Sequence, residues 1–569
     1  MNTNPFWELI SKSIIGREAF IKTPFGERLV TYADYTASGR NVTFIEKYMR
    51  HMLELYGNTH TEDGATGNYT TKRFHQAERI IKRLVNAGAN YKIIEVGTGT
   101  TGAVHRLQQI LGLYIPPAAI DNFKQMATGY FRKEEMDSFN SYLLSKRPVV
   151  FVGPYEHHSN EVSWRECYAE VIEIDLDSRG LFDLVDLERK VSKAEYRDRF
   201  KIGAFSAGSN VSGIRTPVFE VARILHQNDT LVFFDYAAVA PYAEIDICRD
   251  QDSFFDGIYF SPHKFLGGPG SSGILIINER IYRNDLPPTI AAGGTVDFVN
   301  FNDQEYSMEI EVREKPGTPG ILQTLRAALA MELKEKCNPV LIEQKERDYT
   351  RRVIERLAAF TEIEIIGNPD PENRIAIISF NIKYGSLYLH PRFVVTLLND
   401  LFGIQSRAGC SCAGPYGHRV LNISREKSQE LEELIMEGQA GVKPGWARVN
   451  FHFLLNEAEF KFIGDAIVFI AQNGKYFLKL YEFDLHNGKW HYKDFKEERI
   501  TFGLDEALAI KDVKLKTDNE KAPEFYCSYM DQADKLAREL KNDFNVAEIK
   551  TTEANLIPFM YINSTASTI

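Results

Sequence analysis

Short runs that are apolar almost throughout recur along the chain from Lys92 onward, and segments with helical periodicity separate them. A strand buried on both faces shows such a continuous apolar run. In one of the separating segments, Phe74–Asn86, the apolar residues fall on one stripe of a helix. This alternation predicts an α/β fold with a mostly parallel central sheet flanked by helices. The predicted strands are Ile93–Val96, Val149–Val152, Val171–Ile174, Ile202–Phe205, Leu231–Phe234, Gly257–Phe260 and Gly273–Ile277.

The spacing of these patterns also predicts how the chain is divided. The segment Leu113–Arg147 is long for a connector and predicts extra helix in a surface excursion. A helical pattern over Ile321–Lys336 opens a second region of mixed helices and strands, and the chain after residue 473 is richer in Lys, Tyr and Phe. We therefore predict an N-terminal segment (1–30), a large domain (31–320), a smaller α+β domain (321–473) and an appended α+β unit (474–569).

Composition narrows the class of protein. The 569 residues carry a net charge of −11, with 44% hydrophobic and 25% charged residues, which excludes disordered, collagenous and disulfide-stapled classes. The acidic balance and the lack of a basic stripe argue against nucleic acid, and no apolar run approaches the length of a membrane span. Six scattered cysteines and an N-terminus without a secretory pattern predict a cytoplasmic protein. We expect no metal, because the clustered cysteines, Cys410 and Cys412, lack the four ligands of structural zinc.

One aspartate and one lysine follow predicted strands, at the carboxyl ends where α/β sheets bind their ligands. The predicted strand Leu231–Phe234 is followed by Asp235, and Ser261-Pro262-His263-Lys264 leads into a glycine-rich run. Ligands of open α/β sheets bind at the carboxyl ends of strands. A pyridoxal cofactor needs a lysine for its Schiff base and an acid that keeps the ring nitrogen protonated. The alternative is that Asp235 caps a helix and Lys264 is a solvated lysine.

Asp235, the Ser261–Lys264 tetrad and the glycines after it resemble the class V aminotransferases, which are fold-type I transferases dependent on pyridoxal 5'-phosphate. Within that family the similarity is greatest to group II cysteine desulfurases and selenocysteine lyases, and it extends over roughly residues 30–475. The further motifs that resemble the family, in its order, are Tyr32–Ser38, Gly57–Thr61, Gly97–Gly102, Glu156–Asn160, Ser209–Gly213 and Glu314–Pro319.

The resemblance implies a role for individual residues of these motifs. His157 is expected to stack on the pyridoxal ring, Asn210 to lie on the side of its phenolic oxygen, and Thr318 to reach the phosphate of a neighbouring subunit, which implies a homodimer. Ala238 stands where the family usually has a glutamine that hydrogen-bonds the cofactor. The residues expected to bind the cofactor are Lys264, Asp235, His157, Thr100, Thr101, Asn210, Ser261, His263 and Thr318.

The segment from Arg407 to Cys412 is similar to the family's cysteine loop. The resemblance makes Cys412 the nucleophile that takes sulfur as a persulfide, with Cys410 left open as a resolving thiol, a disulfide partner or the nucleophile itself. Arg448 resembles the arginine that clamps the substrate carboxylate, and Arg407 and His60 are expected near the substrate. Both cysteines could instead be small residues in a tight turn. This loop and the charged helix predicted at Arg425–Met436 also partly resemble molybdenum cofactor sulfurases.

These observations favour a cysteine desulfurase that removes sulfur from L-cysteine, or selenium from selenocysteine, and releases alanine, with Lys264, Cys412 and His157 as catalytic residues. A sulfur-acceptor protein is a possible partner of such an enzyme. Two alternatives stay open. Ala238 is compatible with another class V reaction, such as that of an aminotransferase, lyase or epimerase. A degenerate protein that keeps the fold for interaction through residues 474–569 is the third hypothesis.

Overall fold

A computed structural model describes residues 4–59, 61, 63–496, 501–510, 520–553 and 556–564 of the chain. These residues form two compact units. The unit that contains Lys264 comprises Ile45–Asn210 and Ile214–Glu343, and we call it the lysine unit. The unit that contains both clustered cysteines comprises Met1–Phe44, Val211–Gly213 and Gln344–Ile569, and we call it the cysteine unit. The predicted domain boundaries at residues 30, 320 and 473 stay predictions.

The α-helices of the described residues are α1 (Pro5–Ser13), α2 (Thr43–Met52), α3 (Ala65–Leu84), α4 (Gly99–Ile110), α5 (Pro117–Tyr130), α6 (Lys133–Lys146), α7 (Val162–Arg165), α8 (Leu184–Val191), α9 (Val218–His226), α10 (Ile310–Arg313), α11 (Ile321–Lys336), α12 (Pro339–Leu357), α13 (Pro391–Phe402), α14 (Gly414–Val420), α15 (Arg425–Met436), α16 (Glu457–Asn473), α17 (Leu504–Ala509) and α18 (Ala522–Asn542).

The β-strands of the same residues are β1 (Phe20–Thr23), β2 (Gly26–Leu29), β3 (Thr31–Tyr32), β4 (Tyr91–Val96), β5 (Val149–Val152), β6 (Glu170–Glu173), β7 (Lys201–Ser206), β8 (Leu231–Asp235), β9 (Gly257–Phe260), β10 (Gly273–Asn278), β11 (Val296–Val299), β12 (Gln304–Tyr306), β13 (Ile363–Ile365), β14 (Ile377–Tyr384), β15 (Leu387–Leu389), β16 (Ile404–Gln405), β17 (Arg407–Gly409), β18 (Trp446–Asn450), β19 (Tyr481–Phe483), β20 (Trp490–Tyr492), β21 (Lys550–Thr551), β22 (Phe559–Tyr561) and β23 (Asn563–Ser564).

A seven-stranded sheet in the order β4-β10-β9-β8-β7-β5-β6 forms the centre of the lysine unit. The strands from β9 to β6 are parallel to their neighbours, whereas β10 runs antiparallel to both β9 and β4. Helix α4 packs against β4, β9 and β10, and α9 packs against β8. Apolar side chains of α4 and of the sheet form a core that includes Ile94, Val104, Leu107, Val150 and Phe233. The predicted α/β fold with a mostly parallel central sheet is confirmed.

Two elements refine the sequence patterns of the lysine unit. Helix α3 begins at Ala65, nine residues before the predicted start at Phe74. Its first turns bury Gly67, Thr70 and Thr71. These residues are small or polar, so the sequence has no apolar stripe there that would predict a helix. The excursion after α4 contains the predicted extra helix, as α5 and α6, and neither of these helices has a buried residue.

The main sheet of the cysteine unit has the order β17-β18-β14-β15-β22-β21, and β13 pairs with β14. Helices α13 and α16 pack against each other, and α18 packs against both. The rings of Phe462 and Tyr526 stack with centroids 4.0 Å apart. Residues after 473 therefore contribute helix α18 and strands β19, β20 and β22 to the same hydrophobic core as the residues before it.

Within the described part of the chain, no helix is both long and apolar enough to cross a membrane.

Candidate active site

Asp235 and Lys264 follow neighbouring parallel strands of the lysine unit. Asp235 is the last residue of β8, and Lys264 ends a short 3-10 turn, Pro262–Lys264, directly after β9. The Asp235 carboxyl is buried and accepts a hydrogen bond from the backbone N–H of Ala237 at 2.8 Å. Burial raises the pKa of Asp235 to about 6, although that hydrogen bond and the Lys264 charge act in the opposite direction. The sheet thus holds a buried acid within electrostatic reach of a half-buried lysine.

Ser261 joins the lysine turn to the glycine-rich loop that follows β4. Its Oγ accepts a hydrogen bond from the backbone N–H of Thr100 at 2.7 Å and lies 2.7 Å from the Thr100 hydroxyl. Gly99 has φ +59°, and a Cβ on it would lie 2.7 Å from Ser261 Oγ. Both the conformation and the close approach therefore require glycine at this position. The start of α4 is fixed against the segment that carries Lys264.

His157 and Thr101 are linked through Ser159. The backbone N–H of Ser159 donates to His157 Nδ1 at 3.1 Å, and the Ser159 hydroxyl lies 3.0 Å from the same nitrogen and 2.7 Å from Thr101 Oγ1. Because Nδ1 accepts the backbone N–H, a neutral His157 carries its proton on Nε2. The imidazole therefore has a defined orientation and a defined proton position.

A buried hydrogen-bond network surrounds Glu156, the residue before this histidine, and the sequence patterns did not predict it. The Glu156 carboxylate accepts hydrogen bonds from the backbone N–H groups of Gly153 and Ser206, from the Ser206 hydroxyl and from Asn160 Nδ2. Burial raises the pKa of Glu156 to about 7, against the lowering effect of the Asn160 and Ser206 hydrogen bonds. Asn160 in turn accepts from Trp164 Nε1 at 3.1 Å. The motif Glu156–Asn160 could have indicated this network, because Glu156 and Asn160 are its first and last residues and His157 lies between them.

The remaining predicted cofactor residues lie in loops of the lysine unit. Asn210 is buried directly before the three residues, 211–213, that belong to the cysteine unit. Thr318 is exposed, and its Oγ1 accepts a hydrogen bond from Asn58 Nδ2 at 3.1 Å. Burial and the Lys264 charge lower the pKa of His263. The predicted substrate residue His60 lies outside the described residues.

In the cysteine unit, two arginines face each other across paired strands. Arg407 in β17 is the direct partner of Arg448 in β18. Arg448 is only 2% exposed, and its Nη2 donates to Asp34 Oδ1 at 2.9 Å. Like charges directly opposite one another destabilise a sheet, and none of the described residues gives Arg407 an ion pair. Two guanidinium groups with one carboxylate leave this end of the sheet positive and suited to an anionic ligand.

The two clustered cysteines stand on a tight turn between β17 and α14. The backbone N–H of Ala413 donates to the carbonyl of Cys410 at 3.0 Å, and the two central residues have left-handed conformations, Ser411 with φ +52° and Cys412 with φ +57°. Two consecutive non-glycine residues of this kind store backbone strain. The buried Ser411 hydroxyl accepts a hydrogen bond from Trp446 Nε1 at 3.2 Å, whereas Cys410 and Cys412 stay partly exposed.

The side chains of the lysine unit fit pyridoxal phosphate. A Cβ on Gly97 would meet no atom within 4 Å, so the loop leaves open space beside the first N–H groups of α4, which suit a phosphate. The buried Asp235 carboxylate suits a protonated ring nitrogen, and Lys264 suits the carbonyl carbon of the cofactor. No group of acidic, histidine or cysteine side chains within the described residues could hold a metal ion.

The mostly parallel sheet, with a lysine and a buried acid after neighbouring strands, places the chain among the α/β proteins that bind ligands at the carboxyl ends of their strands. The sequence profile described as Aminotransferase class-V matches residues 137–429. The chain belongs to the class V aminotransferase family.

Similar proteins support the same grouping. The chain is 26% identical over 394 residues to a probable cysteine desulfurase of Halalkalibacterium halodurans, covering 68% of this chain and 85% of that protein. It is 29% identical over 300 residues to a probable cysteine desulfurase of Pyrococcus abyssi, covering 51% and 71% respectively. The apo structure of a cysteine desulfurase from Thermococcus onnurineus NA1 has the same fold, with a TM-score of 0.60 and 21% identity over 78% of this chain and 95% of that one.

Proposed function

We propose that the protein is a pyridoxal phosphate-dependent cysteine desulfurase. It takes sulfur from L-cysteine, or selenium from selenocysteine, and releases alanine. The observation that carries the proposal is the turn of partly exposed cysteines that directly follows the strand pairing Arg407 with Arg448. The probable cysteine desulfurases to which the chain is similar support the same reaction.

Arg448 is suited to bind the substrate carboxylate. Its planar guanidinium offers paired N–H donors, and the bond to Asp34 fixes its orientation. Arg407 supplies a second positive charge on the same side of the strand pair. Because both strands are hydrogen-bonded in register, the two cations are held in place before any substrate arrives.

Lys264 would hold the cofactor, and its freed amine would then take the proton from the substrate Cα. When bound, pyridoxal phosphate supplies an electron sink for the carbanion. Asp235 keeps its negative charge near neutral pH, because its pKa is about 6, and it can pair with a cationic ring nitrogen. His157 presents Nε2–H and would return a proton during the reaction.

Cys412 would act as the nucleophile. Its thiolate attacks the substrate Sγ, an S–S bond forms and the carbon–sulfur bond breaks. The electron pair of the broken bond goes to carbon, which is protonated, so that cysteine and the enzyme thiol give alanine and a Cys412 persulfide. A dithiol or a sulfur-acceptor protein then removes the terminal sulfur.

A second class V reaction is the alternative, and Ala238 is the observation that favours it. Ala238 is buried three residues after Asp235, and its methyl group cannot donate a hydrogen bond to the cofactor. Changed ring electronics would redirect the reaction toward transamination, elimination or epimerisation.

A product assay decides between these reactions. The purified protein is loaded with pyridoxal phosphate, its visible spectrum is recorded, and L-cysteine is added. Alanine together with a persulfide supports the desulfurase, a keto acid supports the alternative, and Cys412→Ser is expected to abolish alanine formation. Alanine formation that persists in C412S would remove the nucleophile role, and no cofactor-dependent absorbance would remove the cofactor.

We also propose a homodimer in the reducing cytoplasm. Thr318 is exposed, as a residue that reaches a neighbouring subunit would be in the separate chain. Sedimentation of the loaded protein tests the dimer, and a Thr318→Ala variant that binds the cofactor as tightly as the wild type would contradict the shared site.

A further inference from the structure

The turn that carries Cys412 presents a second thiol for which the proposed function has no use. Cys410 and Cys412 are two residues apart in the turn closed by Ala413 N–H and Cys410 C=O. Two chain steps span at most about 7 Å between Cα atoms. Sulfur–sulfur bonds form between cysteines whose Cα atoms lie about 4.4–6.8 Å apart. The spacing of the two cysteines along the chain is therefore short enough for sulfur to pass between them.

The turn keeps these two side chains accessible and hides the residue between them. Ser411 is buried, and its hydroxyl is bound by Trp446 Nε1, while the flanking cysteines are partly exposed. Two other cysteines show the contrast. Cys167 and Cys337 are buried, and burial raises the pKa of each thiol to about 12. Such thiols stay protonated and unreactive, so the turn is the place where paired thiols meet solvent.

Two cations stand on the strand pair that leads into the turn. Arg407 lies three residues before Cys410 and directly opposite Arg448. Asp34 is the carboxylate that pairs with Arg448, which leaves a net positive charge beside the turn. This positive charge suits the carboxylate of the substrate that delivers the sulfur.

We propose that Cys410 is a second sulfur-carrying site, to which the sulfur taken up by Cys412 is passed. This inference rests on the proposed desulfurase function. The Cys410 thiolate attacks the terminal sulfur of the Cys412 persulfide, a bond forms between that sulfur and Cys410 Sγ, and the bond to Cys412 Sγ breaks. Cys412 leaves as a thiolate and Cys410 becomes the persulfide, so no oxidant or reductant is consumed.

The transfer assigns attack on the substrate to Cys412 and storage of the sulfur to Cys410. Cys412 regains its thiolate while the sulfur waits on Cys410, and a second substrate can react before an acceptor arrives. Ser411 is a positioning residue in this scheme, because its bond to Trp446 holds the turn between the two thiols.

Wild type, C410S, C412S and the control C527S, which removes an exposed thiol in α18, are loaded with pyridoxal phosphate. Each is mixed with L-cysteine labelled with heavy sulfur, alkylated after defined times and mapped by fragmentation mass spectrometry. In wild type the label is expected first on Cys412 and then on Cys410. In C410S it stays on Cys412, and alanine formation slows about tenfold after the first equivalent when dithiothreitol is the acceptor. C527S is expected to follow the wild type.

The outcomes separate the two proposals. Wild type that makes alanine but never carries label on Cys410, or C410S that turns over at the wild-type rate, overturns the relay and leaves the desulfurase intact. Label that appears on Cys410 before Cys412 reverses the direction and also overturns the relay. Wild type that makes no alanine overturns the desulfurase, and the relay with it.

Discussion

In the lysine unit the reactive groups stand at the ends of buried strands, whereas in the cysteine unit the thiols stand on a strained, partly exposed turn. Asp235 and Lys264 follow adjacent strands of a hydrogen-bonded sheet, so their geometry comes from the core. Ser411 and Cys412 have left-handed backbones, so their geometry comes from local strain held by Trp446. Burial shifts the pKa of Asp235 to about 6.

The difference matches what each group must do. An acid and a base that tune a cofactor need fixed positions and a low dielectric, which a buried strand end supplies. A thiol that passes sulfur onward must meet solvent and a partner, which a turn supplies.

Removing the lysine should give the largest loss. Lys264→Ala is expected to lower alanine formation by at least about 10³-fold, because both the cofactor linkage and the proton-accepting amine disappear. The visible absorbance of the loaded protein should vanish as well. Lys461→Ala, which removes an exposed lysine of α16, is the control for overall stability. Alanine formation by K264A within tenfold of the wild type would contradict the role.

Changing Arg448, the proposed ligand of the substrate carboxylate, should weaken substrate binding more than it lowers the turnover rate. Arg448→Lys keeps the charge and the bond to Asp34 but loses the paired donors, and hydrogen bonds to charged groups are worth about 1.5–3 kcal/mol. We expect the KM for L-cysteine to rise about 10- to 100-fold in steady-state assays. The matched change Arg351→Lys on the exposed face of α12 should leave the KM as it is. A kcat that falls with no change in KM would argue against carboxylate binding.

Burial in the lysine unit should also be visible in the pH dependence of stability. Burial raises the pKa of Glu95 in β4 to about 8, against the opposing charge of Lys315. The folded protein then keeps a proton that the unfolded chain releases above about pH 4.5. Its contribution to stability is present at low pH and is lost as the pH rises through about 8.

Glu95→Gln removes this titration, so between pH 5 and pH 8 the wild type should lose on the order of 3 kcal/mol more stability than the variant. Thermal unfolding across that range measures the difference as several °C. Glu524→Gln, at an exposed position of α18, should behave like the wild type. Parallel curves for wild type and E95Q would show that the carboxyl is not held neutral.

The smallest effect concerns the strain of the turn. Ser411→Ala and Ser411→Gly both lose the hydrogen bond to Trp446, but only glycine adopts φ +52° without cost. S411G is therefore expected to be more stable than S411A by about 1 kcal/mol in denaturant unfolding. Equal stabilities would mean that the turn holds no strain at this residue.

Elements with a strong apolar pattern could be predicted from the sequence. Helix α11 occupies Ile321–Lys336, as predicted from its apolar periodicity, and the charged helix α15 occupies Arg425–Met436, as predicted. The start of α3 was missed, since Gly67, Thr70 and Thr71 pack through small side chains. Periodicity reports large apolar residues and says little about such contacts.

Motifs in the sequence predicted the candidate residues, but they did not predict the residues that hydrogen-bond to them. Asp34 pairs with Arg448, 414 residues away in the chain, and no local pattern predicts a pairing at that distance. Ser411 lies between the two cysteines that the motif predicted. Its hydrogen bond to Trp446 depends on the register of β17 against β18. Tertiary partners of this kind require the fold to be known first.

The position of the first strands in the cysteine unit has a consequence for synthesis. The parallel partner of β3 is β16, and the backbone N–H of Leu29 donates to the Tyr529 hydroxyl, 500 residues later. At about 5–20 residues per second, the ribosome needs roughly 25–100 s to deliver that partner. Strand β3 therefore waits for its sheet partner while the whole lysine unit emerges, whereas β1 and β2 can pair with each other at once.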